Sequence, residues 1–397
     1  MKVPFGAMTI PPKARRLVAE AMASGRLSSG RYVRQFEEAF ATRVGTTQAV
    51  AVSSGTDAVA AALATRYDFG ARRGDEVIVP ALSFVATGNA VLQAGFTPAF
   101  VDIDRRTLNI DPGAVEPAVN ERTRAILAVH LMGKPAEMDA IGEVADRHGL
   151  AVIEDAAEAH GAQYKGRNAG TLGELAAFSL YVAHAVTSIE GGMVTTDRED
   201  LAEILRSLRS HGRACKCPEC VLNTGAGECE KRWRHGTDIR FVFERVGFSC
   251  KMNELEAAVG LGCLEVLDEI LARRRENLLA MTDRIRGFGP HLSTFAEAPH
   301  ERIGPHAVPV LVAEDAPFRR DQIVAHLAEA GIDTRNLFQS MPTQCAGFAF
   351  LGHRQGEFPE AEYVGRCGFH VGCHQDITAA QIDYFAETIE GFLARHA

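Results

Sequence analysis

The strongest constraint on this chain is the pace at which short apolar runs alternate with helically spaced stretches over its first two hundred residues. Residues 76–79, 98–102, 125–129, 151–154, 176–180 and 193–196 are rich in Val, Ile, Ala and Phe and poor in charge, as expected of strands covered on both faces. Between them, residues 56–65, 83–93 and 138–148 carry apolar side chains at helical spacing. Such alternation predicts an α/β fold, a mostly parallel sheet with crossover helices. At 397 residues the chain also has room for a second unit. Residues 253–285 read as one long helical stretch capped by Asn253, with a break expected near Gly260 and Gly262. A strand at 307–312 and helices near 320–330 and 378–395 complete the pattern. The expected division is a large domain over 1–265 and a smaller C-terminal α+β domain over 266–397.

Charge and hydropathy exclude several classes. Forty-two basic against fifty-one acidic residues give a net charge of −9, with no strongly basic stretch, so a phosphate-dominated partner such as nucleic acid is disfavoured. No apolar run approaches the roughly 18 residues that span a bilayer. The first sixteen residues lack the apolar core of a secretory signal, so a soluble, cytoplasmic protein is expected.

Ligands of a parallel sheet bind beyond the carboxyl ends of its strands. Residues 151–155 place the carboxyl group of Asp155 at such an end. Residues 51–56 bring Ser53, Ser54, Gly55 and Thr56 to the start of a helix, where free amides and the helix dipole favour a phosphate. A plain helix cap explains the same serines, and a turn residue explains the same aspartate.

Taken in order, the segments SSGTDA (53–58), GDEVIVPALSFVATGNAV (74–91), FVDIDRRTLNIDP (100–112), VIEDAAEAHGA (152–162), FSLYVAH (178–184), EGGMVTTD (190–197) and KMNELEAAVG (251–260) resemble the DegT/DnrJ/EryC1/StrS sugar aminotransferases. These are fold-type I enzymes that use pyridoxal phosphate (PLP). The resemblance implies a homodimer with its active site at the subunit interface. It implies that Asp155 pairs with the pyridine nitrogen, that Phe84 stacks on the ring, and that Ser54, Gly55, Thr56 and Ser179 hold the phosphate. Glu158 stands where the family usually has Gln. Ser249 matches an Asn that reaches the phosphate from the neighbouring subunit.

The main departure is at position 184. The residue six before the acidic residue of the E-G-G motif is, in the aminotransferases, the Lys that binds the cofactor covalently; here it is His184. The chain has only seven lysines, and those nearest in sequence are Lys165 and Lys216. An imidazole cannot form that covalent link, but it can move a proton near neutral pH. A His at this position resembles the subgroup of dehydratases that remove the C3 hydroxyl of nucleotide-linked 4-keto-6-deoxyhexoses with pyridoxamine phosphate (PMP). A weaker match to them is CGFHVGCHQDIT (367–378).

Four of the nine cysteines, Cys215, Cys217, Cys220 and Cys229, fall within fifteen residues. Thiols at this density in a reducing compartment argue for metal rather than disulfides, with zinc and iron–sulfur both open. HGRACKCPEC (211–220) and CEKRW (229–233) resemble an insert in one dehydratase branch that holds a two-iron, two-sulfur cluster fed by a reductase. One ligand of that branch lies upstream, where this chain has Ala156 and Ala157, so Cys220 would complete the set. The other branch needs no cluster and regenerates PMP with glutamate. The expected activity is the 3-dehydratase acting on a nucleotide-activated keto sugar. A sugar aminotransferase and a catalytically silent PLP- or metal-binding regulator are the alternatives.

Overall fold

In the computed structural model, which describes residues 1–396 apart from 9, 219, 225 and 226, the predicted strands assemble into one seven-stranded sheet. Its strands are β1 (Gln48–Val52), β2 (Glu76–Pro80), β3 (Thr97–Val101), β4 (Thr123–Val129), β5 (Ala151–Asp155), β6 (Leu175–Ser179) and β7 (Gly192–Thr196). Their order is β1-β7-β6-β5-β4-β2-β3. All neighbours run parallel except β7, which is antiparallel to both β1 and β6. The five residues of β2 are all buried, as are those of β6 and β7, because helices cover both faces.

Helices α1 (Pro12–Ser24) and α2 (Arg31–Val44) pack on α7 (Glu254–Glu265), and α3 (Gly55–Ala64), α4 (Val85–Gln93), α5 (Met138–His148) and α6 (Glu199–Leu208) follow β1, β2, β4 and β7. Asn253 caps α7 as expected: its side chain accepts from the amides of Leu255 and Glu256, and Glu256 reaches back to the Asn253 amide. The expected break lies elsewhere. The helix runs unbroken through Gly260 and Gly262 and stops at Val266, which separates α7 from α8 (Leu267–Arg286). The two glycines serve close packing. A Cβ on Gly260 would lie 2.4 Å from the Phe36 ring, and one on Gly262 2.4 Å from Cβ of Ala14.

A second sheet is antiparallel and holds β8 (Leu292–Ser293), β9 (Ala307–Val312), β10 (Thr334–Asn336) and β11 (Gly368–Gly372) in the order β8-β9-β11-β10. It is flanked by α9 (Arg320–Glu329) and α10 (Ala379–Leu393). The first residues of the chain lie against it: Val3 bridges to Ile332, and a Cβ on Gly372 would collide with the carbonyl of Phe5. Among the described residues, no helix is long and apolar enough to cross a membrane.

Candidate active site

The carboxyl ends of β1, β4, β5 and β6 open onto one cavity of about 500 Å³. Strand direction decides what lines it: Ser54, Gly55 and Thr56 follow β1, Ser83 and Phe84 follow β2, and His130 follows β4. Asp155 ends β5, Ser179 ends β6, and the loop beyond β6 brings His184. Glu158, His306 and Phe338 close the remaining sides.

Alternation along β5 separates two acids. Asp155 is 6% exposed and faces the cavity, where the Thr87 hydroxyl donates to Oδ2 at 2.8 Å and the Ala157 amide to Oδ1 at 3.3 Å. Burial raises the Asp155 pKa, and among the described residues no cationic side chain bonds to it. A buried carboxylate without a cation is a place for one, and a protonated pyridine nitrogen meets that need. Glu154 points to the other face and is held by His130 and by three amides.

At the start of α3 the Ser54 hydroxyl accepts from the Asp57 amide at 3.0 Å and donates to the Asp57 carboxylate at 2.8 Å. Ser54 is therefore a helix cap, and the next amides, of Gly55 and Thr56, are left for an anion. Gly55 is required here, since a Cβ would lie 2.7 Å from Cβ of Ser179. Phe84 stands at the mouth, 56% exposed, with its ring 5.5 Å from that of Phe338. These features fit a phosphorylated aromatic cofactor.

The other end of the cavity is a cluster of neutral imidazoles. His184 is half-buried; its Nδ1 is fully buried without a hydrogen-bond partner, whereas Nε2 stays accessible. Its ring lies 5.2 Å from His306 and 6.3 Å from His160. Burial first, then the neighbouring His160 imidazole and the Arg274 charge, pull its pKa down to about 3. Burial likewise lowers His160 to about 4 and His306 well below the ordinary value. Glu158 accepts from the Met132 amide at 2.6 Å and lies 3.4 Å from His306 Nε2. Burial raises its pKa to about 8, so at neutral pH it is largely a neutral acid.

These shifts predict a stability optimum. His160, His184 and His370, the last also lowered to about 3, stay neutral in the fold but take up protons near 6.5 when unfolded, so stability falls as pH drops below 6.5. Glu158 acts oppositely. It keeps its proton in the fold up to about 8 and loses it near 4.5 when unfolded, so its contribution falls as pH rises through that window. With His306 added to the three imidazoles and Asp155 to the carboxyl, four groups against two make the acid side the steeper, at about 1.4 kcal/mol per net proton and pH unit. Urea unfolding of the cofactor-free protein should show a maximum near pH 6.5; a flat profile from pH 5 to 8 would contradict these assignments.

Two groups of expected residues lie outside the cavity. Ser249 is exposed and pairs with Ser210 through the backbone. Cys215, Cys217, Cys220 and Cys229 are half-buried free thiols. Cys215 adjoins Cys217, but no three of the four sulfurs come within 4.8 Å of one another. As folded, they do not form a closed tetrahedral site. Conversely, Thr87, His130, His306 and Phe338 enter the cavity without having been singled out. Thr87 lies one helical turn after Phe84, and His130 directly follows a strand end, so both carried a readable signal. His306 carried none, since it reaches the site from the second sheet.

A model of the DegT/DnrJ/EryC1/StrS aminotransferase family matches residues 9–390. The chain is 36% identical over 394 residues to the dTDP-4-dehydro-2,6-dideoxy-D-glucose 3-dehydratase of Saccharopolyspora spinosa, covering 96% of this chain and 84% of that protein. Among solved structures it resembles the E. coli GDP-4-keto-6-deoxy-D-mannose-3-dehydratase with bound hydrated PLP, at 28% identity and a TM-score of 0.84, over 98% of this chain and 99% of that one. It resembles the aminotransferase from Psychrobacter cryohalolentis equally, at 28% identity and a TM-score of 0.87 over 100% of both chains. Backbone likeness therefore does not separate dehydratase from aminotransferase; the side chains in the cavity must. Matched along nearly its whole length and carrying a cavity suited to PLP or PMP, this chain belongs to the DegT/DnrJ/EryC1/StrS aminotransferase family.

Proposed function

We propose that this protein is a dehydratase that removes the C3 hydroxyl of a nucleotide-linked 4-keto-6-deoxyhexose, with PMP as its cofactor. One observation carries the reading: His184, which by its motif matches the covalent Lys of the aminotransferases, lines the cavity, and among the described residues no lysine does. When bound, PMP supplies a free amine for the sugar ketone and an electron-accepting ring.

The chain's own groups divide the remaining work. Asp155, fixed by Thr87, would hold the proton on the ring nitrogen. Gly55, Thr56 and Ser179 would take the phosphate at the head of α3, and Phe84 would cover the ring at the mouth. His184, which burial keeps in its neutral, unprotonated form, would accept at Nε2 a proton from the C4′ carbon of the cofactor. Ser249, exposed on this chain, would reach the phosphate of a second copy in a homodimer. Because this chain has Ala156 and Ala157 where the cluster-bearing branch has its upstream ligand, the reading takes completion without electron transfer, with glutamate restoring PMP.

The test combines binding with turnover. Dialysis should release the cofactor, and borohydride should fix none of it to the protein. A panel of nucleotide-linked 4-keto-6-deoxy sugars should lose the C3 hydroxyl with glutamate alone. Borohydride-fixed cofactor together with an aminated product would make the protein an aminotransferase. Turnover that requires a reductant, with iron and sulfide in anaerobically purified protein, would overturn the glutamate route.

A further inference from the structure

We propose that Ser83 and Thr87 are positioning residues of this site: their hydroxyls form a two-member chain that satisfies Asp155 both with and without its proton, so the acid can change charge as the cofactor binds while every side chain stays in place. The inference rests on the reading of Asp155 as the partner of the ring nitrogen.

The three groups form one path. Ser83 Oγ lies 2.8 Å from Thr87 Oγ1, and Thr87 Oγ1 lies 2.8 Å from Asp155 Oδ2. Ser83 is 3%, Thr87 2% and Asp155 6% exposed, and all three border the cavity. Neither hydroxyl does the work usual for its position. A serine at the start of a helix commonly accepts from an amide of the first turn, and a threonine within one bonds the carbonyl four residues back. At α4 no side chain caps the first turn, and both hydroxyls are directed along the path to Asp155.

A hydroxyl carries one proton and two lone pairs, so such a chain runs in either direction. An ionised Asp155 only accepts; Thr87 then donates to it, and Ser83 donates to Thr87. A protonated Asp155 donates from Oδ2 to Thr87, and Thr87 donates to Ser83, while Oδ1 still accepts from the Ala157 amide. The same oxygen–oxygen distances serve both cases, whereas a fixed donor such as an amide would serve only the ionised form. Both forms are needed here. Burial favours the protonated acid while no cation is beside it, and a protonated ring nitrogen favours the ionised one. The titratable groups acting on Asp155 are His130 and Glu158, and neither side chain bonds to its carboxyl group.

Distant residues hold the outer end of the chain. The Ala81 amide donates to the Val101 carbonyl at 2.7 Å, the Met341 amide donates to the Ala81 carbonyl at 2.8 Å, and Leu82 bridges to Ser340. A Cβ on Gly88 would lie 2.8 Å from the Phe348 ring, so the helix that carries Thr87 is pressed against the same region. Phe84 lies between the two hydroxyls in sequence, so one short segment sets both the stacking ring and the support of Asp155.

NMR of bound PLP labelled with ¹⁵N in the ring reads the proton on the ring nitrogen, and an infrared difference spectrum on adding PLP reads the proton on Asp155. The wild type should show a protonated ring nitrogen and should lose the carboxyl C=O band of Asp155 on binding. In Thr87→Val the nitrogen signal should move toward that of the unprotonated ring. PLP affinity, measured by equilibrium dialysis, should fall by roughly 10- to 100-fold, the effect of losing a hydrogen bond to a charged group. Thr87→Ser keeps a hydroxyl and should restore both. Ser83→Ala should shift the carboxyl band of the cofactor-free protein, because Thr87 then has no acceptor for its own proton when Asp155 donates to it. That variant leaves the Asp155 contact in place and decides the matter should Thr87→Val fail to fold. A wild-type nitrogen signal in Thr87→Val, an unchanged band in Ser83→Ala, or no carboxyl band lost by the wild type overturns the inference. If Asp155→Asn leaves the nitrogen protonated, Asp155 is not its partner and the reading beneath the inference fails. If Asp155→Asn removes that proton and Thr87→Val does not, the inference alone fails.

Discussion

His184→Asn is expected to lower the rate of C3 deoxygenation by about 10²- to 10⁴-fold, the usual contribution of a positioned general base. The substitution keeps a planar polar side chain in a half-buried position, so the cavity should survive and PMP should still bind. His184→Lys tests the same site from the opposite direction. Among the described residues no other lysine lines the cavity, so any cofactor that borohydride fixes to this variant reports residue 184. Deoxygenation should fall, because a covalently held cofactor no longer offers a free amine. Stopped-flow assays with the keto sugar, and intact-mass measurement after reduction, check both variants. Wild-type turnover by His184→Asn would remove the base from this position.

Glu154→Ala is expected to be the most destabilising substitution near the site, by about 3–5 kcal/mol. The side chain is fully buried and accepts from the amides of Gly170, Leu172 and Gly173, each at 2.7 Å. It also pairs with His130 Nε2 at 2.9 Å. His130 Nδ1 accepts from the Ala136 amide at 3.0 Å, so the network assigns the ring proton to Nε2. Alanine would leave three amides and one imidazole N–H without an acceptor in the interior. Glu154→Gln retains the shape and one carbonyl acceptor, and should cost less. Because Asp155 is the next residue on β5, PMP affinity should fall with stability in Glu154→Ala. Urea unfolding and equilibrium dialysis measure the two effects, and a loss below about 1 kcal/mol would show that these bonds are replaced.

Much of this was legible beforehand, for stated reasons. The strands were readable because a sheet covered on both faces demands uninterrupted apolar runs, as in β2 and β4. Asn253 was readable as a cap because its bonds reach only two and three residues onward. The helix break was not. Glycine is a local signal of weakness, yet Gly260 and Gly262 are set by Phe36 and Ala14, more than two hundred residues earlier. The four-cysteine insert was read from density of thiols, and density says nothing of where sulfurs point. In the fold Cys215 adjoins Cys217, but no three of the four sulfurs lie within 4.8 Å of one another.

The sequence by itself determined the α/β architecture, the acid at the end of β5 and a histidine, His184, six residues before the acid of the E-G-G motif, because periodicity and residue identity are properties of short segments. Only the tertiary structure decided that Thr87 holds Asp155, and that His306 stands beside His184 and Glu158. Strand direction, the close approach of Gly133 and Gly304, and the buried Arg274 bring together groups more than a hundred residues apart. The desolvation that keeps those imidazoles neutral exists only once the cavity has closed around them.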